Sequence, residues 1–146
     1  MELENKMLLI RDLSARLPYA VHVQHTSGFS GTLHDLHTHH KYDENDDVYD
    51  IICFTNFFGD DDYIDIEYFK PYLFPLSSMT DEQLQEYRYI VNYLSPDDTD
   101  SWQEGEFVYV GGQMTQLLYF YLSNHLDFRR LIERDLANDA TGKNIY

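Results

Sequence analysis

Histidines and carboxylates crowd the first third of the chain in a pattern that metal ions can use. Six of the seven histidines lie between His22 and His40, and in an extended segment His37 and His39 project from the same face. Imidazole nitrogens and nearby carboxylates such as Asp35 are ligands for Zn²⁺. Two ligands do not complete a site, and the sequence contains no HExxH motif. The pattern therefore favours a solvated histidine-rich loop, and we predict no metal ligand and no cofactor.

A second group of possible ligands follows directly. Asp43, Asn45 and Asp47 occupy alternate positions, as the first ligands of a calcium-binding EF-hand loop do. That loop also needs Gly at its sixth position and Glu at its twelfth, where this chain has Val48 and Phe54. The spacing therefore excludes an EF-hand.

Catalytic motifs are equally scarce. The sequence contains no GxSxG, no phosphate-binding Walker loop and no GxGxxG. The single cysteine, Cys53, stands between Ile52 and Phe54, which predicts a buried and inert thiol. We predict no catalytic residue and do not expect an enzyme.

Acidic charge is the strongest signal in the sequence. The formal net charge is −16, and residues 42–68 hold ten acidic residues without one Lys or Arg. Between Leu17 and Phe128, twenty acidic residues stand against three basic ones. Nucleic acids and anionic membranes repel such a surface, so we expect neither as a direct partner. A basic protein is the partner that this charge attracts.

Two interpretations of the acidic region remain open. One is a hydrated sheet edge with two loops, whose charges prevent edge-to-edge pairing. The other is a decoy surface, because Asp65 and Glu67 alternate with buried positions and carboxylates on one strand face repeat every ~6.6 Å, near two base steps of a duplex. Nearby tyrosines would add contact area. The predicted partner-binding residues are Asp43, Glu44, Asp46, Asp47, Asp60, Asp61, Asp62, Asp65 and Glu67.

Hydrophobic periodicity predicts the elements that position these side chains. Spacings of three and four predict helices, and alternation predicts strands. Thr80 and Gln83 have the spacing of a capping box at a helix start. The predicted helices are Glu2–Leu17, the segment from Thr80 to before Pro96, Gln113–His125 and Phe128–Ala137. The main predicted strands are Tyr19–His25, Phe29–Leu36, Asp47–Phe54 and Asp62–Phe69.

The element order predicts a single α+β domain over residues 1–146, in which a small antiparallel sheet packs against three or four helices. We expect a polar His/Asp-rich loop near 37–47 and a loose tail from about 138. No apolar run approaches the ~18 residues of a membrane-spanning helix. The start of the chain carries charges where a secretory signal would be apolar, which predicts an intracellular protein.

Three blocks of sequence carry a resemblance. They are IRDLSARLPYAVHV at 10–23, KPYLFPLSSMTDEQLQEY at 70–87 and HLDFRRLIERDLA at 125–137. In this order they resemble a group of small proteins encoded by phages, prophages and mobile elements of Bacteroides-like gut bacteria. The resemblance implies a phage or mobile-element origin and a bacterial cytoplasm. It carries over no functional residues, and it does not extend to the central acidic region.

The resemblance and the charge together lead to a functional hypothesis. We expect a small acidic protein that acts by protein–protein interaction, as a nucleic-acid-mimicking inhibitor of a host nucleic-acid-binding or defence protein. A structural or assembly component of a phage particle is the first alternative. A metal-binding enzyme that uses the histidine-rich loop is the second. The sequence does not determine the identity of the partner or the oligomeric state.

Overall fold

The computed structural model describes residues 1–57, 63–92, 101–104, 107–110 and 113–146. Its α-helices are α1 (Leu3–Arg16), α2 (Asp81–Asn92) and α3 (Gln113–Ser123). Its strands are β1 (His22–His25), β2 (Ser30–Thr32), β3 (His37–Tyr42), β4 (Val48–Thr55), β5 (Ile64–Asp65), β6 (Phe69–Leu73), β7 (Ser101–Glu104), β8 (Phe107–Val110) and β9 (Asn138–Asp139). Short 3₁₀ helices span Leu17–Tyr19, Ile66–Tyr68 and Leu76–Ser78.

The described strands form two larger sheets and a separate hairpin. The first sheet has the order β2-β1-β6-β9, and the second has the order β3-β4-β5. Strands β7 and β8 pair only with each other. All pairs are antiparallel except β6 and β9, which run parallel.

The predicted fold, α+β with one small antiparallel sheet against three or four helices, is therefore wrong. The chain is a mixed α+β structure, but its strands are divided among separate sheets. The cause lies in the predicted strand Asp62–Phe69. The Asp65 carboxylate accepts a hydrogen bond from the Glu67 amide at 3.1 Å, which begins a 3₁₀ turn. Strand β5 ends there and β6 begins after the turn, so each pairs in a different sheet.

The predicted helix Phe128–Ala137 is also absent, and the segment is a series of turns. The Asp127 carboxylate accepts hydrogen bonds from the amides of Leu131 and Ile132, both at 2.8 Å. Arg130 and Asp135 adopt left-handed φ values of 58° and 57°. Left-handed residues interrupt a right-handed helix, which explains why the apolar spacing did not produce one.

Two segments predicted to be irregular are ordered by hydrogen bonds. Residues 37–42 form β3 where the sequence predicted a polar loop, because β4 offers them an apolar partner strand. In the predicted loose tail, the Ala140 amide donates to the Leu73 carbonyl oxygen at 2.8 Å. The Tyr146 hydroxyl donates to the Tyr72 carbonyl oxygen at 2.7 Å.

Helix α1 packs in the first core, so the predicted helix is present. Of its predicted apolar stripe, which comprises Leu3, Met7, Ile10, Leu13 and Leu17, only Leu13 is fully buried, and Met7 is 43% exposed. Leu9 and Leu13 on α1 are fully buried, as are Val23 of β1, Cys53 of β4 and Leu73 of β6. This cluster brings both larger sheets against the same helix.

A second core lies between α2 and α3. Phe120, Leu126 and Phe128 are its most buried members. Helix α2 begins with the predicted capping box, which is confirmed: the Thr80 amide donates to Gln83 Oε1 at 2.9 Å, and the Gln83 amide donates to Thr80 Oγ1 at 3.2 Å. In the part of the chain that the structure describes, none of the helices has the length and apolar character needed to cross a bilayer.

Candidate interaction surface

Four of the predicted partner-binding acids lie at the far end of the β3–β4 hairpin. The two strands pair from His37 opposite Phe54 to Tyr42 opposite Val48. Every residue from 42 to 49 is exposed. We call residues 43–47 the acidic turn, because they include Asp43, Glu44, Asp46 and Asp47.

Asp43 holds the acidic turn in one conformation. Its amide donates to the Asp47 carbonyl oxygen at 2.9 Å, and its carboxylate accepts from the amides of Asn45 at 2.8 Å and Asp47 at 3.0 Å. Asp46 has a φ of 63°, in the left-handed region that Asp tolerates better than most residues. A turn ordered in this way loses little conformational entropy when a partner binds its carboxylates.

Large apolar side chains flank the acidic turn. Tyr42 and Tyr49 are each 57% exposed, and Val48 is 39% exposed. Tyrosine combines a large contact area with a polar tip and is enriched among residues that dominate binding energy. The end of the hairpin therefore offers both charge and aromatic contact area to a partner.

The outer face of the second sheet is lined by aromatic rings. His37 and His39 stack on Phe54 with ring centroids 5.7 and 5.5 Å apart, which confirms that the two imidazoles share a face. Tyr63 contacts the Phe54 ring edge-on at 5.0 Å and is 55% exposed. His37 Nε2 lies 3.4 Å from an Asp35 carboxylate oxygen. We call His37, His39, Phe54 and Tyr63 the aromatic face.

The histidines are not arranged as a metal centre in the described ranges. Within those ranges, no three His, Cys, Asp or Glu side chains lie close enough together to hold a metal ion. Instead, the His22 imidazole lies 3.2 Å from the Thr32 hydroxyl, and His25 Nδ1 accepts from the Ser27 amide at 3.0 Å. These contacts join the two imidazoles to neighbouring residues of the fold.

The inner face of β4 anchors the hairpin to the core. Ile51, Cys53 and Thr55 point inward and are buried. Burial raises the pKa of the Cys53 thiol to about 11, with a smaller contribution from the carboxylate of Asp65. The thiol is therefore protonated at neutral pH, and the predicted buried cysteine is confirmed.

Lysines neutralise Glu67 and Asp50, the latter lying opposite Lys41 next to the acidic turn. Lys6 Nζ lies 3.5 Å from an Asp50 oxygen and 3.6 Å from a Glu67 oxygen. Burial of Lys6 opposes its charge, but the carboxylates of Asp65, Glu67 and Asp50 together raise its pKa. Lys41 lies 3.2 Å from the other Asp50 oxygen, and this hydrogen bond is the main cause of the lowered pKa of Asp50.

Two of the predicted partner-binding acids therefore have internal roles. The Asp65 carboxylate caps the turn at Ile66–Tyr68, and Glu67 lies near both Lys6 and the N-terminal ammonium group, the latter at 4.0 Å. They are also not on one continuous strand, so the predicted regular spacing of carboxylates does not occur here. Asp65 and Glu67 thus have intramolecular contacts with an amide or an ammonium group outside the acidic turn.

The remaining predicted acids, Asp60, Asp61 and Asp62, lie outside the described residues. Of the nine predicted positions, the structure thus places Asp43, Glu44, Asp46 and Asp47 together on one surface.

A buried arginine cluster was not predicted from the sequence. Asp12 and Arg16 of α1 are fully buried, and Arg16 Nε donates to Asp12 Oδ2 at 2.6 Å. Arg16 Nη2 also donates to the Leu126 carbonyl oxygen at 2.7 Å, and Arg129 Nε lies 3.3 Å from Asp12 Oδ1. The guanidinium of Arg129 stacks over the Phe128 ring at 4.7 Å. The spacing of Asp12 and Arg16 at i and i+4 was the only sequence signal, and it is also typical of exposed helix faces.

A second unpredicted contact joins His125 to Tyr146. Their rings stack 3.6 Å apart at 11°. Burial lowers the pKa of His125 to about 4, and Arg16 and His22 add to this effect. Burial also raises the pKa of Tyr146 to about 12. Both groups are therefore neutral at pH 7.

The three sequence blocks that carry the resemblance meet at this place. The Phe74 amide donates to the His125 carbonyl oxygen at 2.9 Å, and the Asp127 amide donates to the Phe74 carbonyl oxygen at 2.8 Å. Arg16 joins the first block to the third through Leu126. These blocks build the scaffold rather than the acidic turn.

Comparison with protein-family models, with curated proteins and with solved structures found no match.

Proposed function

We propose that the chain is a small acidic protein of a phage or mobile element that acts by protein–protein contact in the cytoplasm of a bacterial host. It binds a basic host protein through the acidic turn. One observation carries the proposal: four exposed carboxylates lie together between the exposed rings of Tyr42 and Tyr49. Among the described residues, no Lys or Arg pairs with any of the four.

The contrast with Asp50 and Glu67 supports this assignment. Asp50 and Glu67 are balanced by Lys6, which is buried beside them. Intramolecular pairing thus neutralises Asp50 and Glu67 and leaves the carboxylates of the acidic turn available. Unpaired like charges held close together repel one another, and a cationic partner relieves that repulsion.

The partner that fits is a protein with a basic groove. Such grooves are typical of nucleic-acid-binding proteins, which neutralise phosphates with Lys and Arg. We therefore propose an inhibitor that occupies the groove of a host nucleic-acid-binding or defence protein. Support for the inhibitor comes from the rigid acidic turn and the net charge of −16, rather than from a regular row of carboxylates.

The test is affinity capture from the lysate of a Bacteroides-type host with two matched variants. The neutral-turn variant carries Asp43→Asn, Glu44→Gln, Asp46→Asn and Asp47→Asn, and Asn at 43 retains an oxygen that accepts the turn hydrogen bonds. The control variant carries the same change in net charge at exposed sites elsewhere: Glu2→Gln, Glu4→Gln, Glu86→Gln and Glu133→Gln.

We expect the natural chain and the control variant to retain a basic protein at low salt. Rising salt, DNA or RNA should release it, because each weakens or competes for the same charges. The neutral-turn variant should retain much less of it. Equal capture by both variants, or capture that DNA and RNA leave unchanged, would contradict the proposal.

A further inference from the structure

Strand β3 is the long open edge of the two larger sheets. It has six residues and, within the described part of the chain, pairs only with β4. The other outer strands of these sheets are short: β2 has three residues, β5 has two and β9 has two. Every residue of β3 is exposed except Lys41, which is half-buried. An extended segment of another chain thus finds in β3 a row of backbone groups long enough to pair with.

This edge lacks the usual features that prevent pairing. Natural edge strands are often protected by proline, by charges or by marked bulges. The strand HTHHKY contains no proline and no acidic residue, and its one lysine already pairs with Asp50. Its register shift lies at the far end, between Lys41 and Tyr42. Among the described residues, no backbone group outside the sheet bonds to residues 37–42.

A second copy of this chain is poorly suited to pair with the β3 edge. A two-fold symmetric pair of β3 strands must be antiparallel. When such a pair is centred on β3, His39 of one copy lies opposite His40 of the other, and Lys41 lies opposite Thr38. This arrangement also brings the acidic turn of each copy toward Asp35 of its neighbour. Like charges opposite each other destabilise a strand pair.

Building on the proposed function, we propose that the basic partner binds by adding an extended segment as a new strand along β3. Its basic residues lie beside the acidic turn, and its alternate apolar side chains lie toward the aromatic face. Backbone hydrogen bonds supply affinity in such strand addition, and alternate side chains supply specificity. Six residues of β3 offer about 20 Å of edge.

The acidic turn and the aromatic face give this added strand a direction and a composition. The turn lies at only one end of β3, so the cationic residues belong at one end of the added strand. The face contains Phe54 and Tyr63, which favour apolar or aromatic side chains at alternate positions. A segment of uniform charge would fit less well.

A displayed library of random peptides of about twelve residues tests this proposal without a known partner. The full chain selects binders, and the most enriched peptide is then synthesised in three forms. One form is unmodified. The other two carry N-methyl groups on odd or on even residues. In an added strand, only alternate amides point toward β3, so the two methylated forms control for each other.

We expect one methylated form to bind about tenfold or more weakly and the other to bind like the unmodified peptide. Peptide binding should also slow hydrogen exchange at alternate amides of residues 37–42, while the β1 and β6 amides are unchanged. Basic residues should be enriched at one end of the selected sequences.

Strand addition is overturned if both methylated forms bind equally, if the β3 amides are not protected, or if no peptide is enriched. The neutral-turn variant separates this failure from failure of the proposed function. If it weakens peptide binding while the β3 amides stay unprotected, the acidic turn still binds cations and only the strand geometry is wrong. If it leaves peptide affinity unchanged, the proposed function fails as well.

Discussion

Charged side chains have opposite environments in the buried arginine cluster and in the acidic turn. Asp12 and Arg16 are fully buried, and they form an ion pair with each other inside the molecule. The carboxylates of the acidic turn are exposed, and within the described residues no lysine or arginine pairs with them. Lys6 neutralises Asp50 and Glu67, which belong to neither region.

Buried and exposed charges therefore differ in how much they contribute to the stability of the fold. Breaking a buried ion pair is costly because it leaves a desolvated charge without a partner. Exposed charges contribute little to folding, and clustered like charges reduce stability. The acidic turn is therefore not explained by the stability of the fold. We propose that its explanation lies outside the chain, in a partner of opposite charge.

The largest expected effect comes from removing the charge at the centre of the arginine cluster. Asp12→Ala leaves Arg16 and Arg129 buried without their carboxylate, and we expect a loss of about 3–5 kcal/mol in the free energy of unfolding. The matched control is Glu4→Ala on the same helix, where the exposed side chain should contribute less than about 0.5 kcal/mol. Urea unfolding followed by circular dichroism measures both. Equal losses would remove the contrast between buried and exposed acids.

A pH series extends the comparison to His125. Its pKa is about 4 in the folded chain and ~6.5 when unfolded. As pH falls from 6.5 toward 4, the unfolded chain binds a proton that the folded chain does not, so stability declines in that window. We expect a loss of about 2 kcal/mol, below the full value of the shift, because solvent screens a half-buried ring.

The control for this series is His125→Asn, since His125 has a φ of 54° and Asn tolerates that region. Asn does not titrate, so this variant should show a flatter stability profile between pH 6.5 and 4. A variant profile as steep as that of the natural chain would assign the pH dependence to other groups.

A smaller effect on stability is expected from removing one tyrosine hydroxyl in the tail and one beside the acidic turn. Tyr146→Phe removes the donor to the Tyr72 carbonyl oxygen and the acceptor for the His22 amide. We expect a loss of about 1–2 kcal/mol. Tyr49→Phe, at an exposed site beside the acidic turn, should change stability by less than about 0.5 kcal/mol. Thermal unfolding of the two variants side by side would show whether the tail contributes to the fold.

The smallest effect on stability should come from the neutral-turn variant. Removing four carboxylates that repel one another should change the free energy of unfolding by less than about 0.5 kcal/mol, or raise it slightly. A loss of several kcal/mol in urea unfolding would mean that the turn is part of the scaffold. The comparison between the two regions would then fail.

Local sequence signals predicted several parts of the fold. The helical periodicity of α1, the capping box at Thr80 and the burial of Cys53 depend on short-range patterns, and the structure has all three. The division into separate sheets could not be predicted in the same way. It depends on one hydrogen bond from the Glu67 amide to Asp65, which ends a strand that alternation alone would continue.

The candidate surface was predictable in composition but not in geometry. The sequence identifies the acids at 43–47, and the structure adds that Asp43 orders them in a single turn. The neutralisation of Glu67 by Lys6 depends on residues far apart in sequence, which pattern analysis does not bring together. Asp12 and Arg129 are also far apart in sequence, so the sequence did not predict their contact.

The most direct test of the central claim is the dissociation constant of the captured basic partner for three chains, measured over a series of salt concentrations. We predict that the neutral-turn variant binds about a hundredfold more weakly than the natural chain at low salt, while the control variant changes far less. The difference should shrink as salt rises. If the two variants weaken binding equally, only net charge matters and the acidic turn is not the contact surface.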